Sequence, residues 1–260
     1  MHIPKCAGTA LIAALKAGLG GVACRSMDHR RTFRALRAQR SEWETDAWML
    51  QWIGHRQALF YAWLSEKVPF VYGHMPVSAR TLDAHGAGYR FFTVLRDPVE
   101  RFISNYVYDK TGPGERIPDV LPTGKANPRA ELECFLETPE ARWMALEQVL
   151  MLAGLDDCGG FEPEDAAQRA VANLEKFSLI GFTHDMKAFE RRFAETFGVS
   201  IAMESRNTTA DWIRKKDARA DYYSAFDDTV RARVNALCAC EYRVYEEALR
   251  CYAGADGGGK

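Results

Sequence analysis

Residues 1–21 read MHIPKCAGTALIAALKAGLGG and carry the first signal for the fold. The short apolar start is typical of the end of a strand, and the residues around Gly8 predict a tight turn that leads into a helix. Gly20 and Gly21 are expected to end that helix. Its apolar side chains recur at helical spacing: Leu11, Ile12, Leu15 and Leu19. A strand, a turn and a helix in this order are typical of an α/β fold.

A second strand, turn and helix are predicted in the middle of the chain. Residues 89–95, YRFFTVL, form an apolar run that predicts a buried strand. Asp97 is suited to cap the helix that follows, and Pro98 fits its first position because no hydrogen bond is lost there. The apolar face of this helix is expected to consist of Val99, Phe102, Ile103 and Tyr106. The opposite face carries Arg101, Ser104 and Tyr108.

The rest of the chain alternates short apolar runs with amphipathic helices. Further strands are predicted at 69–74 and 177–182. Helices are predicted at 29–66, 129–137, 139–153, 163–176, 186–197 and 226–252. This alternation predicts an α/β fold, a three-layer sandwich with a mostly parallel central sheet. We expect one domain over residues 1–253, with a surface loop at 111–128 and a disordered tail at 254–260.

The composition limits the class of protein. The chain has 260 residues, and its 34 Lys and Arg residues face 35 Asp and Glu residues, for a net charge of −1. This balance argues against a general nucleic-acid binder, which needs an excess of basic residues. No run approaches the roughly 18 apolar residues that a membrane span requires. The seven cysteines are expected to be free thiols in a cytoplasmic protein.

The start of the sequence carries an expectation of its own. Only His2 and Ile3 stand between Met1 and Pro4, whereas a strand that leads into an anion-binding loop usually has about five or six residues. We therefore expect the natural chain to begin upstream of Met1. The first residues lack the pattern of a secretory signal, and a signal or anchor upstream would weaken the cytoplasmic assignment.

The turn at residues 4–9, PKCAGT, has the composition of an anion-binding loop. Gly8 allows close approach of the backbone, and the helix that begins near Thr9 directs N–H groups and the positive end of its dipole at the loop. Lys5 adds a positive charge, and Thr9 adds a hydroxyl donor. The pattern differs from a Walker A loop, in which the lysine follows the last glycine. A generic turn that binds nothing is the alternative.

The second turn strengthens the functional interpretation. Arg96 stands where the predicted strand ends, and ligands of α/β sheets gather at the carboxyl ends of the strands. The alternative for the polar face of the next helix is solvated surface, with Arg101 in an ion pair with Glu100 or Asp97. The chain contains two strand–turn–helix units with candidate anion-binding residues, and this makes the alternative weaker for Arg96 and Ser104.

Together, PKCAGT at 4–9 and RDPVERFISNY at 96–106 resemble the paired signatures of sulfotransferases that use 3′-phosphoadenosine 5′-phosphosulfate (PAPS). The resemblance is strongest to the carbohydrate branch, which includes heparan and chondroitin 2-O-sulfotransferases, and covers about residues 1–205. It implies a P-loop-like fold, PAPS as co-substrate, and no metal. The implied reaction transfers the sulfuryl group to a hydroxyl, with a saccharide as the expected acceptor.

The resemblance assigns roles to individual residues. The phosphosulfate loop then consists of Pro4, Lys5, Cys6, Ala7, Gly8, Thr9 and Ala10. Lys5 also stabilises charge on the leaving group, while Arg96 and Ser104 bind the 3′-phosphate. Asn207, in the loop 205–209, loosely matches an asparagine-containing loop that closes over the nucleotide.

Two positions depart from the family pattern. Cys6 stands where threonine is common, and Ala10 stands where serine or threonine is common. A hydroxyl contact to the phosphosulfate is therefore expected to be missing.

His74 is the candidate catalytic base. It ends the predicted strand 69–74 and is expected at the same sheet edge as Lys5 and Arg96. Its ordinary pKa of about 6.5 suits the removal of a proton from an acceptor hydroxyl. The Gly-His pair at 73 and 74 resembles the 2-O-sulfotransferases, in which that histidine is the base. A hydrogen-bonded structural histidine is the alternative.

Two other functions are left open. A P-loop-like nucleotide or small-molecule kinase needs Mg²⁺ and an acidic ligand at a strand end, where Asp97 stands, although Asp97 is assigned to the helix cap. A catalytically inactive nucleotide-binding protein is consistent with Cys6 and Ala10. The tryptophans fit either a sugar-stacking surface or core packing: Trp43, Trp48, Trp52 and Trp63.

Overall fold

The structure is a computed structural model that describes residues 1–27, 32, 35, 36, 38, 44–111, 127–203 and 222–253. In these regions the strands are β1 (Cys24–Met27), β2 (Phe70–Gly73), β3 (Phe92–Leu95) and β4 (Leu179–Phe182). The helices are α1 (Gly8–Leu19), α2 (Thr45–Ser65), α3 (Ala79–His85), α4 (Pro98–Thr111), α5 (Pro128–Phe135), α6 (Pro139–Met144), α7 (Glu147–Ala153), α8 (Pro163–Leu174), α9 (Met186–Phe197), α10 (Asp228–Leu237) and α11 (Ala239–Ala253). The predicted α/β class is confirmed.

The strands form two parallel pairs, which the first residues of the chain connect. β1 pairs with β2, and β3 pairs with β4. Residues 1–3 lie between the pairs, because the His2 amide donates to the Gly73 carbonyl at 2.9 Å and the Met1 amino group donates to the Phe92 carbonyl at 3.1 Å. The order across the strands is therefore β1, β2, residues 1–3, β3 and β4.

Side chains of β3 and β4 alternate between two apolar clusters. Val94 and Leu179 belong to a cluster with Phe189 of α9 and side chains of α1. Leu95 and Ile180 belong to another cluster, which contains side chains of α2, α7, α8 and α11. This alternation is expected for strands that are covered on both faces, since successive side chains point to opposite sides.

A third apolar cluster lies where α4, α5 and α10 meet. Tyr106 of α4 has its ring 5.1 Å from that of Phe135 in α5, and Val230 and Val234 of α10 belong to the same cluster. The four predicted apolar side chains of α4 are all buried: Val99, Phe102, Ile103 and Tyr106. The predicted apolar face of this helix is therefore confirmed.

Two predicted helices are interrupted, and two elements were not predicted. The predicted helix 139–153 divides into α6 and α7, and the predicted helix 226–252 divides into α10 and α11. Both breaks adjoin a buried polar network, described below, that takes its carboxylates from the first turns of α7 and α11. Strand β1 exposes three of its four residues and therefore has no apolar run to signal it. Helix α3 is only seven residues long.

Two predictions cannot be compared with the fold. The predicted loop at 111–128 falls mainly on residues outside the described regions, and the predicted tail at 254–260 falls wholly outside them. No helix in the described regions is long and apolar enough to cross a membrane.

Candidate functional site

Three predicted site segments lie at one edge of the strands. Lys5 follows the residues between β2 and β3, His74 follows β2, and Arg96 follows β3. The strands within each pair are parallel, so their carboxyl ends share an edge, and such edges are where α/β proteins bind ligands.

The loop that precedes α1 has an unusual backbone. Lys5 and Ala7 have φ angles of 64° and 57°, in the left-handed region that costs a residue with a side chain about 1 kcal/mol or more. The Cys6 amide donates to the Ile3 carbonyl at 3.3 Å, and the Ala7 carbonyl accepts the amide of Leu11 at 3.0 Å. The chain therefore reverses within a few residues and enters α1 at once.

The first turn of α1 presents amide groups that none of the described residues pairs with. Within the described regions, the N–H groups of Gly8, Thr9 and Ala10 have no hydrogen-bond acceptor. The same turn carries no acidic side chain, and Thr9 is exposed. These donors, together with the positive end of the helix dipole, suit the binding of an oxyanion.

Cys6 supports this loop from the interior. Its side chain is fully buried, with Sγ 3.6 Å from the Pro4 carbonyl and 3.9 Å from Oε1 of Gln148. Burial raises the pKa of the thiol to about 12. A side chain in this position faces the protein and not the α1 amides, so a threonine hydroxyl placed like the Cys6 thiol would not reach an anion bound there.

His74 is oriented by His2, which in turn packs against the loop. Nδ1 of His74 lies 3.0 Å from the His2 carbonyl oxygen, and the two rings are 4.5 Å apart. Because a carbonyl oxygen only accepts hydrogen bonds, Nδ1 carries the hydrogen and the neutral ring has its lone pair on Nε2. The ring of His2 also occupies the space where a Cβ atom would lie at Gly8.

The second motif touches the first at two points. Nη1 of Arg96 donates to the Lys5 carbonyl at 3.3 Å, and Nζ of Lys5 lies 4.0 Å from the centre of the Tyr108 ring. Ser104 stands one helical turn before Tyr108 on the same side of α4. It is 6% exposed, and its hydroxyl bonds to none of the described residues. Helix α4 therefore turns its Ser104 side toward the loop.

Arg101 is buried and forms structural ion pairs, but the alternative was wrong about its exposure and its partners, which are Glu147 and Glu241 and not Glu100 or Asp97. Its guanidinium is 0% exposed and pairs with both carboxylate oxygens of Glu241, each at 3.1 Å. It also donates to Glu147 at 3.1 Å and to the Met144 carbonyl. Arg101 therefore connects α4 to α6, α7 and α11.

Asp97 caps α4 as predicted. Its Oδ1 accepts the amide of Glu100 at 3.0 Å, and its Oδ2 accepts the hydroxyl of Tyr242 at 3.0 Å. Both carboxylate oxygens are thus engaged with protein donors. Within the residues that the structure describes, no three His, Cys, Asp or Glu side chains are grouped in a way that would hold a metal ion.

The polar network around Arg101 contains two carboxylates and one guanidinium. Glu147 and Glu241 share the single guanidinium, and both are buried. Burial raises the pKa of Glu241 to about 7, while Arg101 and the bonds from Gln148 act in the opposite direction. Burial acts to lower the pKa of Arg101, but Glu241 and Glu147 outweigh it and hold this pKa well above its ordinary value.

Some predicted residues lie away from the site or outside the described regions. Asn207, with its loop 205–209, and Trp43 lie outside them. Trp52 is buried and stacks on Trp48 at 5.5 Å, and Trp63 packs against the core, which favours the core-packing interpretation for this stretch. Gln148, described below, was not predicted, since nothing in the sequence marks it.

No protein-family model matches the chain, and no curated protein matches it at a significant level.

The contact between Gly8 and His2 generates a test of the loop. A Gly8→Ala variant places a methyl group inside the His2 ring, so the free energy of unfolding should fall by about 1–3 kcal/mol. The control is Gly54→Ala in α2, where the new methyl group meets only ordinary contact and should raise stability by about 0.5–1 kcal/mol. Urea unfolding measures both values, and equal stability of the two variants would contradict the packing.

The buried Glu241 predicts a pH dependence. Because its folded pKa is raised above the ordinary 4.5 to about 7, its contribution to stability is fully present below about pH 4.5 and is lost as the pH rises toward 7. The stability of the wild type relative to Glu241→Gln should therefore be greater at about pH 5 than at about pH 7.5. Urea unfolding at both pH values tests this, with the exposed Glu246→Gln of α11 as control. A difference that does not change with pH would refute it.

Proposed function

We propose that this protein is a PAPS-dependent sulfotransferase with a P-loop-like fold. The observation that carries the proposal is the contact between its two motifs: the guanidinium of Arg96 donates to the carbonyl of Lys5 at 3.3 Å. The two motifs therefore lie side by side, as residues that bind the two charged ends of one nucleotide must.

The arrangement of the strands supports the finer description of the fold. The first residues of the chain stand in the middle of the order β1, β2, residues 1–3, β3, β4, so that the loop after them opens at the centre of the edge. The apolar clusters that receive alternate side chains of β3 and β4 support a sandwich of three layers.

The nucleotide is proposed to bind by its two charged ends. The unpaired amides of Gly8, Thr9 and Ala10, with the Lys5 ammonium, bind the 5′-phosphosulfate. Arg96 and the buried hydroxyl of Ser104 bind the 3′-phosphate, for which a guanidinium is a suitable partner.

His74 is proposed to remove the proton of the acceptor. With its Nδ1–H donated to the His2 carbonyl, the neutral ring accepts the hydroxyl proton on Nε2. The acceptor oxygen forms a bond to sulfur while the bond from sulfur to the 5′-phosphate oxygen breaks in line. Lys5 and the α1 amides stabilise the negative charge on the departing phosphate, and 3′-phosphoadenosine 5′-phosphate (PAP) is the second product.

The acceptor is proposed to be a hydroxyl of a saccharide. This part of the proposal rests on the resemblance to the carbohydrate branch. Trp52 is buried and Trp63 packs against the core, so these two side chains are not part of this proposal.

The two rival functions find less support at the site. A kinase would use an acidic ligand for Mg²⁺ at a strand end, but the carboxylate of Asp97 is occupied by the Glu100 amide and the Tyr242 hydroxyl. The alternative of an inactive protein was suggested by Cys6, Ala10 and the short start of the chain. Of these features, Cys6 loses its weight because its side chain is buried against Pro4 and Gln148. Sulfuryl transfer in buffer without added divalent metal distinguishes the proposal from both rivals.

Binding of PAP tests the nucleotide site. PAP should bind more tightly than AMP, which lacks the 3′-phosphate, and Arg96→Ala should weaken PAP by about 10- to 100-fold because a charged hydrogen bond is lost. Titration calorimetry without metal measures both ligands. The control is Arg90→Ala at the opposite end of β3, where the exposed side chain donates to the Thr196 carbonyl. Equal affinity of the wild type for PAP and AMP would overturn the proposal.

His74→Ala tests the proposed base. The rate of sulfuryl transfer should fall by about 10²- to 10⁴-fold, because the acceptor proton has no base, while PAP affinity stays unchanged. Turnover of PAPS is measured over a range of pH with a panel of saccharides. His55→Ala in α2, an exposed histidine away from the sheet edge, is the control. A His74→Ala variant as active as the wild type would remove this residue from the role.

A further inference from the structure

Gln148 holds the backbone of Arg96 from both sides. Its Oε1 accepts the Arg96 amide at 3.0 Å, and its Nε2 donates to the Arg96 carbonyl at 3.0 Å. A neighbouring strand would bond to the backbone N–H and C=O groups of a residue in the same way, with one acceptor and one donor. Arg96 lies just beyond the last residue of β3, so the side chain of Gln148 takes the place of a strand partner at this position.

The amide of Gln148 is itself fixed. Its second Nε2 hydrogen goes to Oε2 of Glu241 at 3.2 Å, and its backbone amide donates to Oε1 of the same carboxylate at 2.6 Å. Gln148 is 1% exposed, so no water competes for these bonds. Both hydrogens and the oxygen of the side-chain amide are therefore used, which leaves it one orientation.

Glu241 is held in turn by Arg101. One oxygen of this carboxylate accepts a hydrogen bond from Nε of Arg101 at 3.1 Å, and the other lies 3.1 Å from Nη2. Arg101 belongs to α4, the helix that Arg96 precedes. A closed path of hydrogen bonds thus runs from Arg101 through Glu241 and Gln148 to Arg96. The covalent chain completes this path, because Arg96 stands five residues before Arg101 in the sequence.

The side-chain contacts of Arg96 with other described residues are weak. Nη1 donates to the Lys5 carbonyl at 3.3 Å, and Nη2 lies 4.0 Å from Glu100, in a pair whose side chains are 25% and 47% exposed. Such contacts do not by themselves hold a guanidinium in one place. The direction of this long side chain therefore depends on how firmly its backbone is held.

We propose that Gln148 is a positioning residue that aims Arg96 and so sets the preference for a nucleotide with a 3′-phosphate. This inference rests on the proposed function, which makes Arg96 the 3′-phosphate ligand. Gln148 touches no substrate in this role. Its effect falls on the 3′-phosphate and not on the 5′-phosphate, which the α1 amides bind.

The test compares PAP with AMP on a matched pair of variants. Gln148→Met keeps the length of the side chain and removes its hydrogen bonds. Gln57→Met is the control, since Gln57 also holds a backbone, accepting the amide of Leu155 at 3.0 Å, but away from the sheet edge. Calorimetric titration gives the ratio of the AMP and PAP dissociation constants. The ratio should fall about tenfold or more in Gln148→Met, with AMP affinity nearly constant, and should not change in Gln57→Met.

Hydrogen exchange gives a second measurement that needs no ligand. The Arg96 amide of the wild type should exchange slowly, and in Gln148→Met it should exchange at least about tenfold faster. The Thr183 amide, which donates to the Leu95 carbonyl at 2.9 Å, is the internal control and should not change. Fast exchange of Arg96 in the wild type would overturn the inference even if the variant failed to fold.

The outcomes separate the two proposals. A wild type that prefers PAP, with the same preference in Gln148→Met, overturns the positioning role and leaves the sulfotransferase proposal intact. A wild type that binds PAP and AMP equally overturns the proposed function, and the role of Gln148 in 3′-phosphate recognition with it. Loss of PAP and AMP affinity by the same factor in Gln148→Met shows a structural role only, which also overturns the inference.

Discussion

The ion pair between Arg101 and Glu241 is the interaction on which the arrangement of the site depends. Both side chains are 0% exposed, and the pair joins α4 to α11 through one hydrogen bond of 3.1 Å and a second ion-pair contact of 3.1 Å. Removing Arg101 would leave the buried carboxylates of Glu241 and Glu147 without compensation, at a cost of about 3–5 kcal/mol. Since α4 carries Ser104 and Tyr108, a shift of this helix would separate the second motif from the loop. The network therefore holds in place the surface at which the two motifs meet.

Much of the framework was predictable because local patterns determine it. The turn at residues 4–9 and the apolar runs that became β2, β3 and β4 are visible in the sequence, and parallel strands bring their carboxyl ends together without further information. Asp97 and Pro98 mark the start of α4 by the ordinary chemistry of helix caps. The apolar face of α4 was predicted correctly, because helical spacing alone decides which side chains share a face.

What the sequence did not reveal depends on partners that are distant along the chain. Helical spacing places Arg101 on the polar side of α4. Only the fold shows that this side contacts Glu241, a buried residue 140 positions later in the chain. Gln148 lies in an otherwise apolar stretch, and its role arises from two backbone atoms of Arg96. Strand β1 was missed because an edge strand with exposed side chains has no apolar run. In each case the deciding contact is tertiary.

The packing of His2 against Gly8 has a consequence for how this loop can change in evolution. Glycine in a phosphate-binding loop is usually attributed to the close approach of a ligand, yet here a neighbouring imidazole already fills the space of a Cβ atom. The two positions are therefore coupled, and a larger residue at position 8 requires a smaller one at position 2. Homologous chains should show these positions varying together. Loss of the ring would in turn alter the surroundings of His74, whose ring it contacts at 4.5 Å.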